Sequence, residues 1–257
     1  MAAKWALITG ASEGLGVEFA RLAAAEGRDL ILVARQAAKL EALAAELRDR
    51  HKVAVEVWPT DLADAAEVET LWRKLALRRH VEIVVNNAGL GYNGPFAGDD
   101  IGREMASVAV NVTALTILTK RAASHMTRQG GGRILNVGST AGFMPGPNMA
   151  VYHATKAYVL SLSEAVAEEL RGSPVTVTVL CPGATATNFA RDAKMEGIAL
   201  FRLMPPAGAA AVAKAGWGAM KRGRRIRVTG LMNSTFAFAP RLVPRALVTR
   251  ISALFLK

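Results

Sequence analysis

The sequence predicts an α/β fold: one doubly wound parallel sheet of about seven strands, with helices on both faces, in a single domain. Three observations predict it. Short apolar runs of strand length alternate with longer helical patterns along most of the chain. A glycine-rich turn follows the first run and opens the first helix. Tyr152 and Lys156, four residues apart, open a helical run that continues through Leu170. Strands alternating with helices pack as a parallel sheet covered on both sides.

The chain has 257 residues, 51% of them hydrophobic, enough for one large domain with a substantial core. Its one cysteine, Cys181, excludes an internal disulfide framework and a Cys-based zinc site. The four histidines lack metal-ligand spacing, so no metal is expected. The net charge of +11 is confined to the last quarter. Residues 197–257 hold eleven Lys or Arg and no Asp or Glu, whereas the first 196 hold 21 of each sign. A solvated basic face and contact with a membrane surface both account for this; nucleic acid is not an expected partner. Met1-Ala2-Ala3-Lys4 runs directly into Trp5-Ala6-Leu7-Ile8, which leaves no secretory h-region before the glycine-rich turn. No stretch has the ~18 uncharged apolar residues of a membrane span. A cytoplasmic location is expected, with peripheral membrane contact as an open addition.

In order, the first strand is the apolar run 4–10. The turn Thr9-Gly10-Ala11-Ser12-Glu13-Gly14-Leu15-Gly16 then opens a helix to about Glu26, with Gly27 as its C-terminal glycine. Strand, glycine-rich turn and helix together let a backbone approach a pyrophosphate, with free N–H groups and a positive dipole at the helix start. The second strand runs from Asp29 to Ala34. Arg35, 19 residues after Gly16, stands where such a unit meets the adenosine ribose. A carboxylate there would accept from a 2′-hydroxyl; an arginine pairs with a 2′-phosphate. Arg35, with Ser12 as a further donor, therefore points to NADP(H) rather than NAD(H), although Glu13 lies close to such a phosphate.

A helix with Leu40, Leu43 and Leu47 on one face spans about 36–50, and a strand is expected at 53–57. Thr60-Asp61-Leu62 leads to a helix that Asp64 caps. The fourth strand, 82–85, runs into Asn86-Asn87-Ala88-Gly89, small residues that let adenosine lie across the strand ends. Residues 99–129 read as one long helix carrying Asn111 in an apolar stretch, where a buried amide needs partners. Its Met105 to Thr119 portion reads as a buried or interface helix. The fifth strand, 133–137, ends in Gly138-Ser139-Thr140. The sixth, 175–180, runs into Cys181-Pro182-Gly183-Ala184-Thr185-Ala186-Thr187. A lid at 188–206, a helix at about 208–221 and a last strand at 226–228 follow.

Four residues are just over one helical turn, so Tyr152 and Lys156 share a face. An ammonium beside a phenol stabilises the phenolate, and the tyrosine pKa is expected to fall from roughly 10 toward neutral. Such a phenol exchanges a proton with an alcohol or carbonyl.

With these pieces in order, the chain resembles the classical short-chain dehydrogenase/reductase family over roughly residues 4–230. The resemblance rests on Thr9-Gly10-x3-Gly14-x-Gly16, Asn86-Asn87-Ala88-Gly89, Asn111, Ser139, Tyr152-x3-Lys156 and Pro182-Gly183, with Ser139 13 residues before Tyr152. It implies a Rossmann-type fold and a set of roles. Tyr152 would be the general acid or base, and Lys156 would lower its pKa and hold the nicotinamide ribose. Ser139 would orient the substrate carbonyl, and Asn111 would hold a water linked to Lys156. Gly10, Ser12, Gly14, Leu15 and Gly16 would wrap the pyrophosphate. Asp61 and Leu62 would flank adenine, and Asn87, Ala88 and Gly89 the adenosine ribose. Pro182, Gly183, Thr185 and Thr187 would contact the nicotinamide side. The family's habit also implies a homodimer or homotetramer.

The resemblance makes residues 1–230 the dinucleotide-binding and catalytic unit, lid included, and 231–257 a basic, apolar tail. That tail either packs on a partner subunit near the substrate mouth or rests on an anionic membrane. Phe143, Met144, Met149, Phe189, Leu203 and Met204 would form an apolar pocket whose polar end is Ser139 and Tyr152. The expected substrate is a small hydrophobic ketone, aldehyde or secondary alcohol. A 3-oxoacyl or hydroxysteroid reductase of narrow specificity and a non-catalytic NADP-binding regulator stand as alternatives. Cys181 reads as a small buried residue beside the cofactor loop.

Overall fold

A computed structural model describes residues 4–77, 79–98, 101–195 and 205–256. The first half alternates strand and helix: β1 Lys4–Thr9, α1 Gly14–Ala25, β2 Asp29–Ala34, α2 Ala37–His51, β3 Val55–Pro59, α3 Ala65–Ala76 and β4 His80–Asn86. Next come α4 Ile101–Val108, a π-helical segment Ala109–Ala114, α5 Leu115–Arg128, β5 Gly132–Val137, a 3₁₀ turn Thr140–Phe143, α6 Ala150–Glu169 and β6 Val175–Cys181. The remainder holds β7 Thr185–Ala186, α7 Phe189–Asp192, β8 Ala207–Gly208, α8 Ala209–Lys221 and β9 Ile226–Val228. Two further helices, α9 Leu231–Phe238 and α10 Arg245–Phe255, end the described chain.

Seven strands form one sheet in the order β3-β2-β1-β4-β5-β6-β9, and every neighbouring pair is parallel. Its strands are apolar on both faces, as burial on both sides requires. Ala6 and Ile8 of β1 enter the core layer built with Phe19, Leu40 and Trp217. Trp5 and Leu7 enter the opposite layer with Leu71, Leu118 and Met126. The chain turns back at β1: β2 and β3 lie on one side of it and β4 on the other. The carboxyl ends of β1 and β4 therefore flank the switch-point crevice where such sheets bind ligands.

Local signals act as expected at several ends. Gly27 follows α1 at φ +72°, and Asp64 caps α3 by accepting from the backbone N–H groups of Ala66 and Glu67. The third strand begins two residues later than expected. Lys52 closes α2 at φ 57°, and the Ala54 N–H is taken by the Asp29 carboxylate at 2.8 Å before pairing starts. The expected long helix is broken into α4, the π segment and α5. The combined span Ile101–Arg128 is long and apolar enough to cross a membrane by length and composition. Its inner residues Val110, Ala114, Leu118, Ala122 and Met126 are packed in the core against the sheet.

Candidate active site

The crevice opens as a cavity of about 410 Å³ that runs from the glycine-rich turn past Ser139, Tyr152 and Lys156 to the C-terminal helices. Gly10 and Gly14 sit at φ +65° and +56°, in the left-handed region that favours glycine. A Cβ on Gly16 would stand 2.0 Å from the Gly10 carbonyl oxygen, so α1 can start this close to β1 only with glycine there. No side chain caps the start of α1. Its free N–H groups and its dipole lie beside Gly10, Ser12, Gly14 and Leu15 on the cavity wall. Thr9 ties this turn to the next wall, because its Oγ1 accepts from the N–H groups of Asn87 and Ala88 at 3.0 and 3.1 Å. The Asn87 amide donates in turn to the carbonyls of Thr9 and Gly10.

The 3₁₀ turn after β5 and the helix α6 bring the candidate chemical groups together. Tyr152 and Lys156 lie in the first turns of α6, and the Lys156 Nζ is 5.7 Å from the Tyr152 ring centre. Lys156 donates to the Val137 carbonyl at 2.9 Å. The Ser139 hydroxyl lies near enough to the Tyr152 phenol to favour its ionised form, and it accepts from the Ala141 N–H at 3.1 Å. Burial pushes the Tyr152 phenol up to about 12, with the Ser139 contact as a smaller opposing effect. Burial also pulls Lys156 down to about 8. This corrects the expectation of a tyrosine near neutrality. The ammonium lies over the ring face and is held by a carbonyl, so in this state desolvation outweighs its help to the phenolate.

Asn111 sits buried in the π segment. Its Oδ1 accepts from the Leu90 N–H at 2.8 Å, and its Nδ2 donates to the Leu90 carbonyl at 2.7 Å and to Thr155 Oγ1 at 3.0 Å. Gly89 is pressed between them: a Cβ there would meet Asn111 Oδ1 at 3.3 Å and Lys156 Nζ at 3.4 Å. A second buried amide pair, Asn86 and Asn136, bridges β4 and β5 at 2.8 Å and reaches Ser163 on α6.

Of the other expected residues, Met144, Met149, Phe189, Pro182, Gly183, Thr185 and Thr187 all line the same cavity. Six do not. Asn111 stands behind Gly89, and Gly16 is packed on Gly10. Arg35 is exposed at the end of β2, beside the lining residue Gln36. Leu62 turns into the core, and the Asp61 carboxylate accepts from the Ala63 N–H at 3.0 Å. Phe143 packs against Leu115, Val159 and Leu160 instead of the pocket. Leu203 and Met204 lie outside the described residues, as does much of the expected lid. Two short strands, β7 and β8, pair at the lid's base.

The structure also places residues that the sequence left without a site role. Glu13 forms an ion pair with Lys39 and accepts from the Asn188 amide at 2.7 Å, and those contacts hold its carboxyl below the usual range. His153 bonds the Met144 carbonyl through Nδ1 at 2.8 Å, and burial keeps the ring neutral-leaning. Asn233, Phe236, Ser252, Phe255 and Leu256 of the tail form part of the cavity wall. The tail thus packs on its own chain, an arrangement that no local pattern distinguishes from packing on a partner.

The short chain dehydrogenase family model matches residues 4–196. A solved short-chain dehydrogenase from Sphingobium yanoikuyae in complex with NADPH is 33% identical, with a TM-score of 0.85, over 95% of this chain and 94% of that one. The bulky-bulky ketone specific alcohol dehydrogenase from Comamonas testosteroni is 28% identical, with a TM-score of 0.80, over 94% and 93%. Among curated proteins, a very-long-chain 3-oxoacyl-CoA reductase from Coprinopsis cinerea is 36% identical over 67% of this chain and 52% of its own length. The chain thus spans about half of that relative. The family match, the parallel sheet order and the clustered Ser139, Tyr152 and Lys156 agree: the chain belongs to the short-chain dehydrogenase family of oxidoreductases.

Proposed function

We propose that this enzyme is an NADPH-dependent carbonyl reductase, reversible as an alcohol dehydrogenase, acting on hydrophobic ketones, aldehydes or secondary alcohols. One observation carries the reading: a single cavity joins the uncapped start of α1 to the Ser139, Tyr152 and Lys156 side chains. The glycine cradle fits a pyrophosphate, because its wall is backbone N–H groups with no Cβ in the way. A nicotinamide dinucleotide bound there supplies or accepts the hydride. The chain's own residues do the rest. The Ser139 hydroxyl donates to the substrate oxygen and orients it. The Tyr152 hydroxyl, protonated at neutral pH, gives its proton to that oxygen during reduction. Lys156 places a positive charge beside the forming phenolate. Asn111 is held by Leu90 and Thr155, so a water linked to Lys156 would rest on its main-chain side, where a π turn lacks the usual i+4 partner.

Arg35 supports NADP(H). Its guanidinium is exposed at the rim and meets no carboxylate among the described residues. Glu13, the acid nearest to a 2′-phosphate, is already neutralised by Lys39. The apolar walls, Met144, Met149, Phe189 and the tail side chains, support a bulky apolar substrate. The solved Comamonas enzyme, named for bulky ketones, favours the same reading. A 3-oxoacyl reductase is the second reading, favoured by the name of the Coprinopsis relative. Residues 1–230 would hold the dinucleotide and the reacting groups. Exposed Ile101, Met105 and Tyr158 offer a face for pairing with a second copy.

NADPH and NADH oxidation followed by absorbance, with a panel of ketones, aldehydes and acyl thioesters, tests this. Turnover with NADPH that falls at least about 100-fold in Tyr152→Phe supports the proton-donor role. NADPH binding without turnover on any of the panel would favour the regulator.

A further inference from the structure

Beyond residues 4–196, matched by the family model, the last helices build a wall of the cavity that contains one unpartnered hydroxyl. α9 and α10 contribute Asn233, Phe236, Ser252, Phe255 and Leu256 to the lining. Leu256 anchors this wall next to the candidate chemistry: it is buried in one cluster with Met149, Ala193 and Met195, and Tyr152 packs against that cluster. Ser252 lies one helical turn earlier, with its carbonyl accepting from the Leu256 N–H at 3.2 Å. Four residues rise ~6 Å along the helix.

Ser252 is 4% exposed and lines the cavity, and its hydroxyl has no hydrogen-bond partner among the described residues. The other hydroxyls of the two tail helices behave differently. Ser234, Thr235 and Thr249 each donate to the carbonyl four residues back, at 3.0, 3.3 and 2.9 Å. That back-bond is the usual way a helix satisfies such a group. Ser252 shares the cavity wall with Phe236, Phe255 and Leu256, and its hydroxyl, spared the back-bond, is left to meet a ligand in the cavity. Asn233 sits on the same wall against Gly183, with its Nδ2 donating to the Thr229 carbonyl at 2.7 Å.

We propose that the Ser252 hydroxyl is a second polar anchor of the substrate pocket, and that the preferred substrate is a bulky apolar ketone carrying a second, neutral hydrogen-bonding group. The inference rests on the reductase reading of the same cavity and deepens it. The group is neutral because none of the described tail residues lining the cavity is cationic, so a carboxylate beside them would lack a counter-ion among them. A hydroxyl or a second carbonyl both suit, since a serine hydroxyl donates and accepts. The turn between Ser252 and Leu256 puts an apolar span between the two polar ends.

The test compares 1-decalone with its hydroxy-decalone and decalindione analogues, on full-length enzyme with NADPH. Wild type should prefer the best difunctional analogue over decalone by about fivefold or more in kcat/KM, the factor one neutral hydrogen bond supplies. That ratio should collapse toward one in Ser252→Ala, mainly through KM, and survive in Ser252→Thr. Thermal melting and NADPH titration report whether each variant is folded and binds cofactor. Equal losses on decalone and its analogues in Ser252→Ala, or no preference in wild type, overturn the anchor and leave the reductase reading intact. Failure of wild type to turn over any of these ketones counts against the reductase reading and removes the inference with it.

Discussion

Burial moves Tyr152 and Lys156 in opposite directions, and each shift has a measurable consequence. A phenol pushed up to about 12 stays protonated at neutral pH, which suits proton donation and opposes proton abstraction. Alcohol oxidation should therefore rise steadily with pH while carbonyl reduction does not. Lys156, pulled down to about 8, carries its charge below that pH and loses it above. The kcat/KM for reduction, which reports the free enzyme, should fall as pH rises through about 8. A flat profile to pH 10 would remove Lys156 from that role. The same burial makes the ammonium unfavourable to the fold. Lys156→Met should abolish turnover yet raise Tm by about 2–4 °C for each ~1 kcal/mol gained. Gly16 is decided by space instead: an added Cβ lands 2.0 Å from a backbone oxygen. Gly16→Ala should cost about 1–3 kcal/mol in urea unfolding and weaken NADPH binding together.

At the scale of elements, the break between α4 and α5 shows how a site residue shapes its own helix. Asn111 lies in the π segment, and its amide clamps the Leu90 backbone through both its oxygen and its nitrogen. The Asn111→Ala variant should loosen the strand end after β4 and lower turnover more than it lowers NADPH affinity. On the proposed function, the tail helices limit substrate size. Phe255 and Leu256 close the pocket beside Met149 and Phe189. Removing residues 245–257 should raise KM for bulky ketones by at least tenfold and leave small aldehydes less affected. Equal effects on both would mean the tail serves stability alone.

For the whole molecule, charge and shape diverge. The first 196 residues are balanced, and the excess of +11 sits in a C-terminal quarter that also exposes Leu242, Leu247, Ile251 and Leu254. The inner face of α10, with Val248 and Ser252 buried, meets the cavity. Its exposed Leu247, Ile251 and Leu254 lie beside Arg250, whereas Arg245 projects from another side of the helix, so contact with an anionic bilayer is a proposal for this face to be tested. Sedimentation with vesicles containing phosphatidylserine should pull down full-length protein, and the pelleting should fall with salt and with truncation at 230. No pelleting would assign that face to a second copy or to solvent.

The amino-acid sequence by itself determined the sheet, the glycine-rich turn and the candidate reacting groups. These are local matters: alternation of apolar runs, glycines where the chain must pass at positive φ, and a Tyr–Lys pair one helical turn apart. Every strand of the large sheet was legible within about two residues, because strand ends are marked by the neighbouring glycine, proline and capping residues. The tertiary structure alone decided what depends on distant partners. It set the direction of the Tyr152 shift, since desolvation comes from the whole surrounding fold. It turned Leu62 and Phe143 into packing clusters and away from the cavity, and it seated Glu13 between Lys39 and Asn188. It also laid residues 231–256 over the cavity of their own chain. Periodicity tells which face of a helix is apolar, but not which of several apolar surfaces, distant in sequence, will cover it.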